Sequence, residues 1–152
     1  MKTQKTIGIT KSIALVAHDR KKTELIKWTY LHKEKLMHHR LIATETTGKL
    51  IEEQIHIKTK KVMSGPLGGD QQLGAMISQG KIDIIIFFWD PMATQPHDSD
   101  VKALLRLGVV WNIPMACDTA TADFLITSPF MTEKYIAEHG CYKNYLDRII
   151  DK

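Results

Sequence analysis

The chain has 152 residues, 43% hydrophobic and 25% charged, with a formal net charge of +4. A chain of this length fits one domain, which buries roughly 70% of its unfolded surface and needs no disulfide or metal staple. The composition excludes a membrane-spanning helix, since no apolar run approaches ~20 residues. Its modest positive charge, without a nucleic-acid motif, suits small phosphates; no nucleic-acid or membrane partner is expected.

Along the chain, Lys2, Lys5 and Lys11 precede a short apolar run, a pattern too brief and too interrupted for a signal peptide. Residues 1–11 therefore read as a frayed tail on a single domain spanning 1–152. The first strand is expected over 13–17, ending at His18-Asp19. Leu25, Trp28, Leu31 and Leu36 then predict a helix over 22–37. A strand over 41–43 ends at Thr44-Glu45-Thr46-Thr47-Gly48, and a short helix over 49–55 follows. A weaker strand is expected within 57–63. The turn Ser64-Gly65-Pro66-Leu67-Gly68-Gly69-Asp70 precedes a helix over 71–78, which Gly80 stops. Residues 84–88 are rich in β-branched and aromatic types, and this strand ends at Trp89-Asp90-Pro91. A helix over 101–111, with Ser99 or Asp100 as N-cap, leads to a strand over 113–116 and then Cys117-Asp118-Thr119. A last helix is expected over 143–150. Short continuous apolar strands alternating with helices predict a three-layer α/β/α fold with a mostly parallel sheet of about five strands.

Each clear strand runs directly into a polar or small-residue cluster. In open parallel sheets, ligands bind outside the carboxyl ends of the strands, so these clusters share one rim. Thr44 to Gly48 and Ser64 to Asp70 offer hydroxyls, backbone N–H groups and glycines that can cradle a phosphate, with Lys22 adding charge. Taken alone, either turn is equally a helix cap formed by Thr46 or Ser64. No G-x-x-x-x-G-K-[ST] or G-x-G-x-x-G occurs, which disfavours ATP and dinucleotides and leaves a small phosphate ester.

His18, Asp19, Asp70, Asp90, His97, Asp98 and Asp100 supply proton-handling groups on the same rim. Asp70 and Asp100 are also natural helix caps, and Asp19 can serve to orient His18. His97, Asp98 and Asp100 with His18 offer donors for a divalent metal, although no H-x-x-x-H spacing is present. The pair His38-His39 reads as solvent-exposed. Cys117 and Cys141 have no metal or redox spacing and read as cytosolic thiols.

Together, Val16-Ala17-His18-Asp19, Ala43-Thr44-x-Thr46-Thr47-Gly48, Ser64-Gly65-Pro66-Leu67-Gly68-Gly69-Asp70-Gln71-Gln72, Phe88-Trp89-Asp90-Pro91 and Pro96-His97-Asp98-x-Asp100 resemble the methylglyoxal synthases. The resemblance covers about residues 12–128 and fades towards the end. It implies a Rossmann-like lyase that converts dihydroxyacetone phosphate to methylglyoxal and inorganic phosphate, with no metal or organic cofactor. It implies Asp70 as general base and His97 as the group that polarises the substrate oxygens, with His18 and Asp100 beside them. Lys22, Thr44, Thr46, Thr47, Ser64, Gly65, His18 and His97 are implied to hold the substrate and its phosphate.

The resemblance further implies a cytoplasmic, allosteric homohexamer on a glycolytic bypass, inhibited by phosphate. The family usually has glycine where this chain has Glu45. Arg148 lies near the place of a family arginine associated with phosphate binding between subunits. A rival expectation is a regulatory module, since the same fold binds effectors in carbamoyl phosphate synthetase. A second rival is a metal-dependent sugar-phosphate lyase.

Overall fold

A computed structural model describes residues 2–93, residues 98–142 and Tyr145, with residues 98–100 described by their backbone alone. His97, Arg148 and, apart from Tyr145, the helix expected over 143–150 fall outside the described residues.

The strands in chain order are β1 (Lys2–Ile7), β2 (Ser12–Ala17), β3 (Arg40–Thr44), β4 (Thr59–Val62), β5 (Ile84–Phe88), β6 (Met115–Ala116) and β7 (Tyr135–Gly140). The helices are α1 (Lys22–Leu31), α2 (Lys33–Leu36), α3 (Glu45–Ile55), α4 (Gly69–Ser78), α5 (Asp98–Val110) and α6 (Thr119–Ile126). Five strands form one parallel sheet in the order β4-β3-β2-β5-β6. The central strand, β2, pairs Ile13 with Leu41 on one side and with Ile84 on the other.

Strand side chains alternate between the two faces of the sheet. Ile13, Leu15, Leu41, Ala43, Ile84, Ile86 and Phe88 face α1, α2, α3 and α6, packing on Leu25, Trp28, Leu36, Ile51, Ile55 and Ile126. Ala14, Val16, Ile42, Ile85 and Phe87 face α4 and α5, packing on Leu73, Ile77, Val101 and Leu104. Both faces are covered, which explains why the strands are continuous apolar runs instead of alternating ones. The expected three-layer α/β/α architecture is present.

The structure corrects several expectations. Residues 2–7 are not a frayed tail. They form β1, paired antiparallel with β7 from Lys2–Gly140 to Ile7–Tyr135. The ribbon is polar outward, and only Ile7 and Ala137 in it are fully buried, so its composition hides it. It is fastened by Lys5, whose ammonium lies 2.9 Å from Asp83 and donates to the Ile82 carbonyl at 3.1 Å.

The helix expected over 22–37 is two helices broken at His32. There the His32 ring packs on Trp28 and reaches Asp123 of α6 at 3.0 Å, while Trp28 Nε1 donates to the same carboxylate at 2.9 Å. Helix α3 starts at Glu45, so the threonine cluster is the helix's own first turn. Helix α5 starts at Asp98, which puts Ser99 and Asp100 inside its first turn and not at its cap. Strand β6 is only two residues long. Pro114 just before it has no N–H to give a ladder, although its carbonyl accepts from Ile85 N. His38 is exposed as expected, but His39 is half-buried and its Nδ1 accepts the Lys11 backbone N–H at 3.0 Å.

Candidate active site

The strand order reverses at β2: β3 and β4 lie to one side, β5 and β6 to the other. A parallel sheet opens a crevice at the carboxyl ends of the strands at such a switch point. A cleft of about 260 Å³ sits there. His18, Lys22, Thr44, Thr46, Ser64, Gly65 and Asp70 line it, with Asp19, Val16, Ala17, Pro66 and Phe87 completing the wall.

Three strands enter this cleft in the same way. His18 follows β2, Thr44 ends β3 and Ser64 follows β4. All three are extended, with φ and ψ of −62° and 157°, −64° and 157°, and −61° and 152°. Each is the N-cap of the helical turn that follows, and none of the three side chains caps its own helix. This settles the cap alternative for both turns. Ser64 is a cap by position only, and Thr46 lies inside α3, one residue beyond Glu45. The orphan N–H groups of three helical N-termini therefore converge on one cleft, a ready site for an anion.

Lys22 is ion-paired with Asp19 at the cleft edge. Thr47 is fully buried, with its hydroxyl 3.5 Å from that of Thr44. It backs Thr44 and is not on the cleft wall.

Asp70 is in the first turn of α4, at the positive end of that helix, and is only 4% exposed. It is not the N-cap the sequence allowed. The cap is Gly68, whose φ of 107° belongs to the left-handed region that favours glycine. His18 is also buried. Its Nδ1 accepts the backbone N–H of Asp90 at 3.1 Å, and its ring stands edge-on to Phe87 at 5.2 Å. An Nδ1 that accepts leaves the proton of a neutral ring on Nε2, which makes that atom the donor. Asp90 thus serves through its backbone, while its own carboxylate accepts the Met92 N–H at 3.0 Å.

The described part of α5 brings the backbone of Asp98 and Asp100 to the start of that helix. No group of three or more metal-ligating side chains occurs among the described residues.

Sequence reasoning missed Gln72. Its Oε1 accepts the Met63 N–H at 2.7 Å and ties the end of β4 to α4. The Gly-Gly-Asp-Gln-Gln run contained the signal, but nothing in its composition says which glutamine turns back. Phe87 was also missed as a wall of the site, because a strand residue beside a cleft looks like any core aromatic.

Glu45 is the first residue of α3, beside the cradle but not on its wall. It pairs with Lys49 at 3.0 Å, one turn on, and is 46% exposed. A carboxylate at a helix N-terminus competes for the same positive potential that an anion uses, an effect of about 0.3–1 kcal/mol. Glu45→Gly is expected to lower the inhibition constant of inorganic phosphate about two- to fivefold by that reckoning. Glu45→Gln, which removes the charge alone, should give most of the effect. Unchanged inhibition in both variants would show that Lys49 already cancels the charge.

The profile of the MGS-like domain family matches residues 24–117. The chain is 56% identical over 140 residues to the methylglyoxal synthase of Coxiella burnetii (strain RSA 493 / Nine Mile phase I), covering 92% of this chain and 98% of that one. It is 53% identical over 146 residues to that of Erwinia tasmaniensis, covering 96% of each. The crystal structure of methylglyoxal synthase from Elizabethkingia anophelis NUHP1 superposes with a TM-score of 0.93 at 62% identity, covering 99% of both chains. By the identity and coverage of these relatives, this chain belongs to the methylglyoxal synthase family.

Proposed function

We propose that the chain is a lyase acting on a phosphate ester, converting dihydroxyacetone phosphate to methylglyoxal and inorganic phosphate. The observation that carries this reading is the cleft itself, where three helical N-termini for a phosphate surround one buried carboxylate, Asp70. Membership of the family and identity above 50% over most of the chain support it.

In this reading the Asp70 carboxylate removes a proton from the carbon bearing the hydroxyl. The electron pair moves onto the carbonyl oxygen and forms an enediolate. That step is feasible only if hydrogen-bond donors stabilise the developing oxyanion. His18 offers Nε2–H for this, and we assign His97 the same task together with the proton shuttle, with Asp100 beside it. The neutral-imidazole pairing parallels triosephosphate isomerase, the standard comparison for a carboxylate base with a histidine.

The enediolate then expels phosphate, leaving the enol of methylglyoxal, which gains a proton at its terminal carbon and loses the one on its oxygen to give the product. The carbon–oxygen bond to phosphate must overlap the enediolate π system, so a cradle that holds phosphate out of that plane favours elimination over isomerisation. Thr44, Thr46, Ser64, Gly65 and Lys22 would fix that angle, with Thr47 packed behind Thr44. They would also take up the charge on the departing phosphate, which is then a product inhibitor.

We further propose a cytoplasmic, allosteric homohexamer working on a bypass of glycolysis. Free Cys117 and Cys141 suit a reducing compartment. Burial and neighbouring Asp118 push the Cys117 thiol up from its ordinary value, so it stays protonated in the presence of an electrophilic product. Exposed Phe124 and Val109 offer contact surface for further subunits. No helix among the described residues is long and apolar enough to cross a membrane.

The direct test is to give the purified protein dihydroxyacetone phosphate and measure methylglyoxal and free phosphate. Both are expected in equal amounts, and EDTA is expected to leave the rate unchanged. Absence of product above buffer would favour an effector-binding module, and loss of activity in EDTA would favour a metal-dependent lyase.

A further inference from the structure

A second cationic concavity lies at the opposite, amino end of the sheet. It has a volume of about 430 Å³ and is lined by Arg40, Lys58, Lys60, Lys81, Ser12 and His39 over an apolar floor that includes Ile42 and Met76. The register explains the cluster. Leu41 pairs with Thr59 and Ile42 with Lys60, so Arg40 and Lys58 lie one step earlier on neighbouring strands. Adjacent strands are about 4.8 Å apart, and residues two apart on a strand share a face, which adds Lys60 to Lys58. Lys81 arrives from the turn after α4, where its N–H donates to the Met76 carbonyl at 2.8 Å.

These four cations form no ion pair among the described residues, whereas Lys2, Lys5, Lys21, Lys22, Lys49 and Lys61 all do. Two neighbouring carboxylates, Glu52, which feels the charge of Lys58, and Asp83, are already engaged by other partners. Glu52 takes Lys61 at 2.7 Å and the Thr59 N–H at 3.0 Å. Asp83 takes Lys5 at 2.9 Å and the Ser12 N–H at 2.8 Å. Arg40 is held in place by Nε, which donates to Ser12 Oγ at 3.0 Å. His39 is held below the ordinary histidine value by burial first, then by Lys11, His38 and Arg40. Like charges gathered in one concave groove repel, and a bound anion relieves that cost.

We propose that this groove is a second anion site, separate from the catalytic cleft, that takes a small molecule carrying two or more linked phosphate groups. Its volume is that of a small-ligand pocket and not of an extended track. It has no Phe, Tyr or Trp on which successive bases would stack, which disfavours single-stranded nucleic acid. The groove and the cleft lie at opposite ends of β2 and β3, since Ser12 and Arg40 begin the strands that end at Ala17 and Thr44.

The test is calorimetric titration of the full chain with inorganic tripolyphosphate at about 0.1 M salt, where exposed charges are screened beyond ~10 Å. Lys58→Gln/Lys60→Gln is expected to weaken tripolyphosphate binding about tenfold or more, with kcat and KM for dihydroxyacetone phosphate unchanged. Both side chains are exposed, so the variant should keep its thermal midpoint. Equal binding by the variant, or binding abolished by Lys22→Gln in the cleft instead, would overturn the proposal. It is also overturned if a 20-nucleotide oligouridylate binds more tightly than tripolyphosphate and loses that binding in the double variant, because the groove would then be a nucleic-acid surface.

Discussion

Asp70→Asn is expected to lower turnover of dihydroxyacetone phosphate by about 10³- to 10⁴-fold, the upper part of what a positioned general base contributes. The substitution keeps shape and removes the ability to accept a proton. Asp70 is buried at the base of the cleft, in the first turn of α4, where a polar isostere fits the same space. The proposed phosphate cradle is built from other segments: the starts of α1 and α3 and the Ser64-Gly65 turn. Inhibition by inorganic phosphate should therefore be retained or tightened several-fold, because the cradle keeps its donors and one buried negative charge facing it is removed. Loss of kcat with phosphate inhibition preserved is the signature of a group used in the transition state and not in ground-state binding. Near-normal turnover would reduce Asp70 to a helix-terminus residue. An equal loss of phosphate affinity would mean that the substitution had disturbed the cradle.

Much of this site is legible in the sequence because strand ends are. Four apolar runs stop abruptly at polar clusters, and a parallel sheet must bring those clusters to one edge. That argument puts His18 and Thr44 on one edge, and the weaker strand within 57–63 adds Ser64 and Asp70; the cleft is lined by all four, but not by Trp89-Asp90-Pro91 or Cys117-Asp118-Thr119. It cannot tell which of neighbouring threonines faces the ligand. Thr46 is exposed on the wall while Thr47 is buried behind Thr44, a difference set by helical phase once α3 starts at Glu45. Nor can it find partners that act through the backbone. Asp90 was legible as a carboxylate, yet its link to His18 is a main-chain N–H. The β1–β7 ribbon was illegible for another reason. Its strands join the first residues to residues 128 to 138 positions away, and their mixed polar pattern has little apolar periodicity to read.

Gly69→Ala is expected to damage both stability and turnover, although the substitution adds only one methyl group. A Cβ at position 69 would stand 1.9 Å from the Met63 carbonyl oxygen and 2.9 Å from its carbon, so backbone must move by more than an ångström. The segment that must give way is the one that carries Ser64 and Gly65. It is closed by Gly69 N–H to Ser64 O and Leu67 N–H to Ser64 O, both at 3.0 Å. Overpacking of this kind costs about 1–3 kcal/mol. That lowers the midpoint by roughly 2–12 °C for a chain of this size. Turnover should fall about 10²-fold, since a shift of an ångström at a positioning loop has that effect. Gly68→Ala separates this from simple backbone strain. Gly68 has φ of 107° and no atom within 4 Å of an added Cβ, so alanine there should cost stability while displacing the Ser64 turn far less. Wild-type melting and turnover in Gly69→Ala would show that the close approach of α4 to the end of β4 does not hold the site. A loss in Gly68→Ala equal to that in Gly69→Ala would trace the effect to the cap conformation and not to the contact.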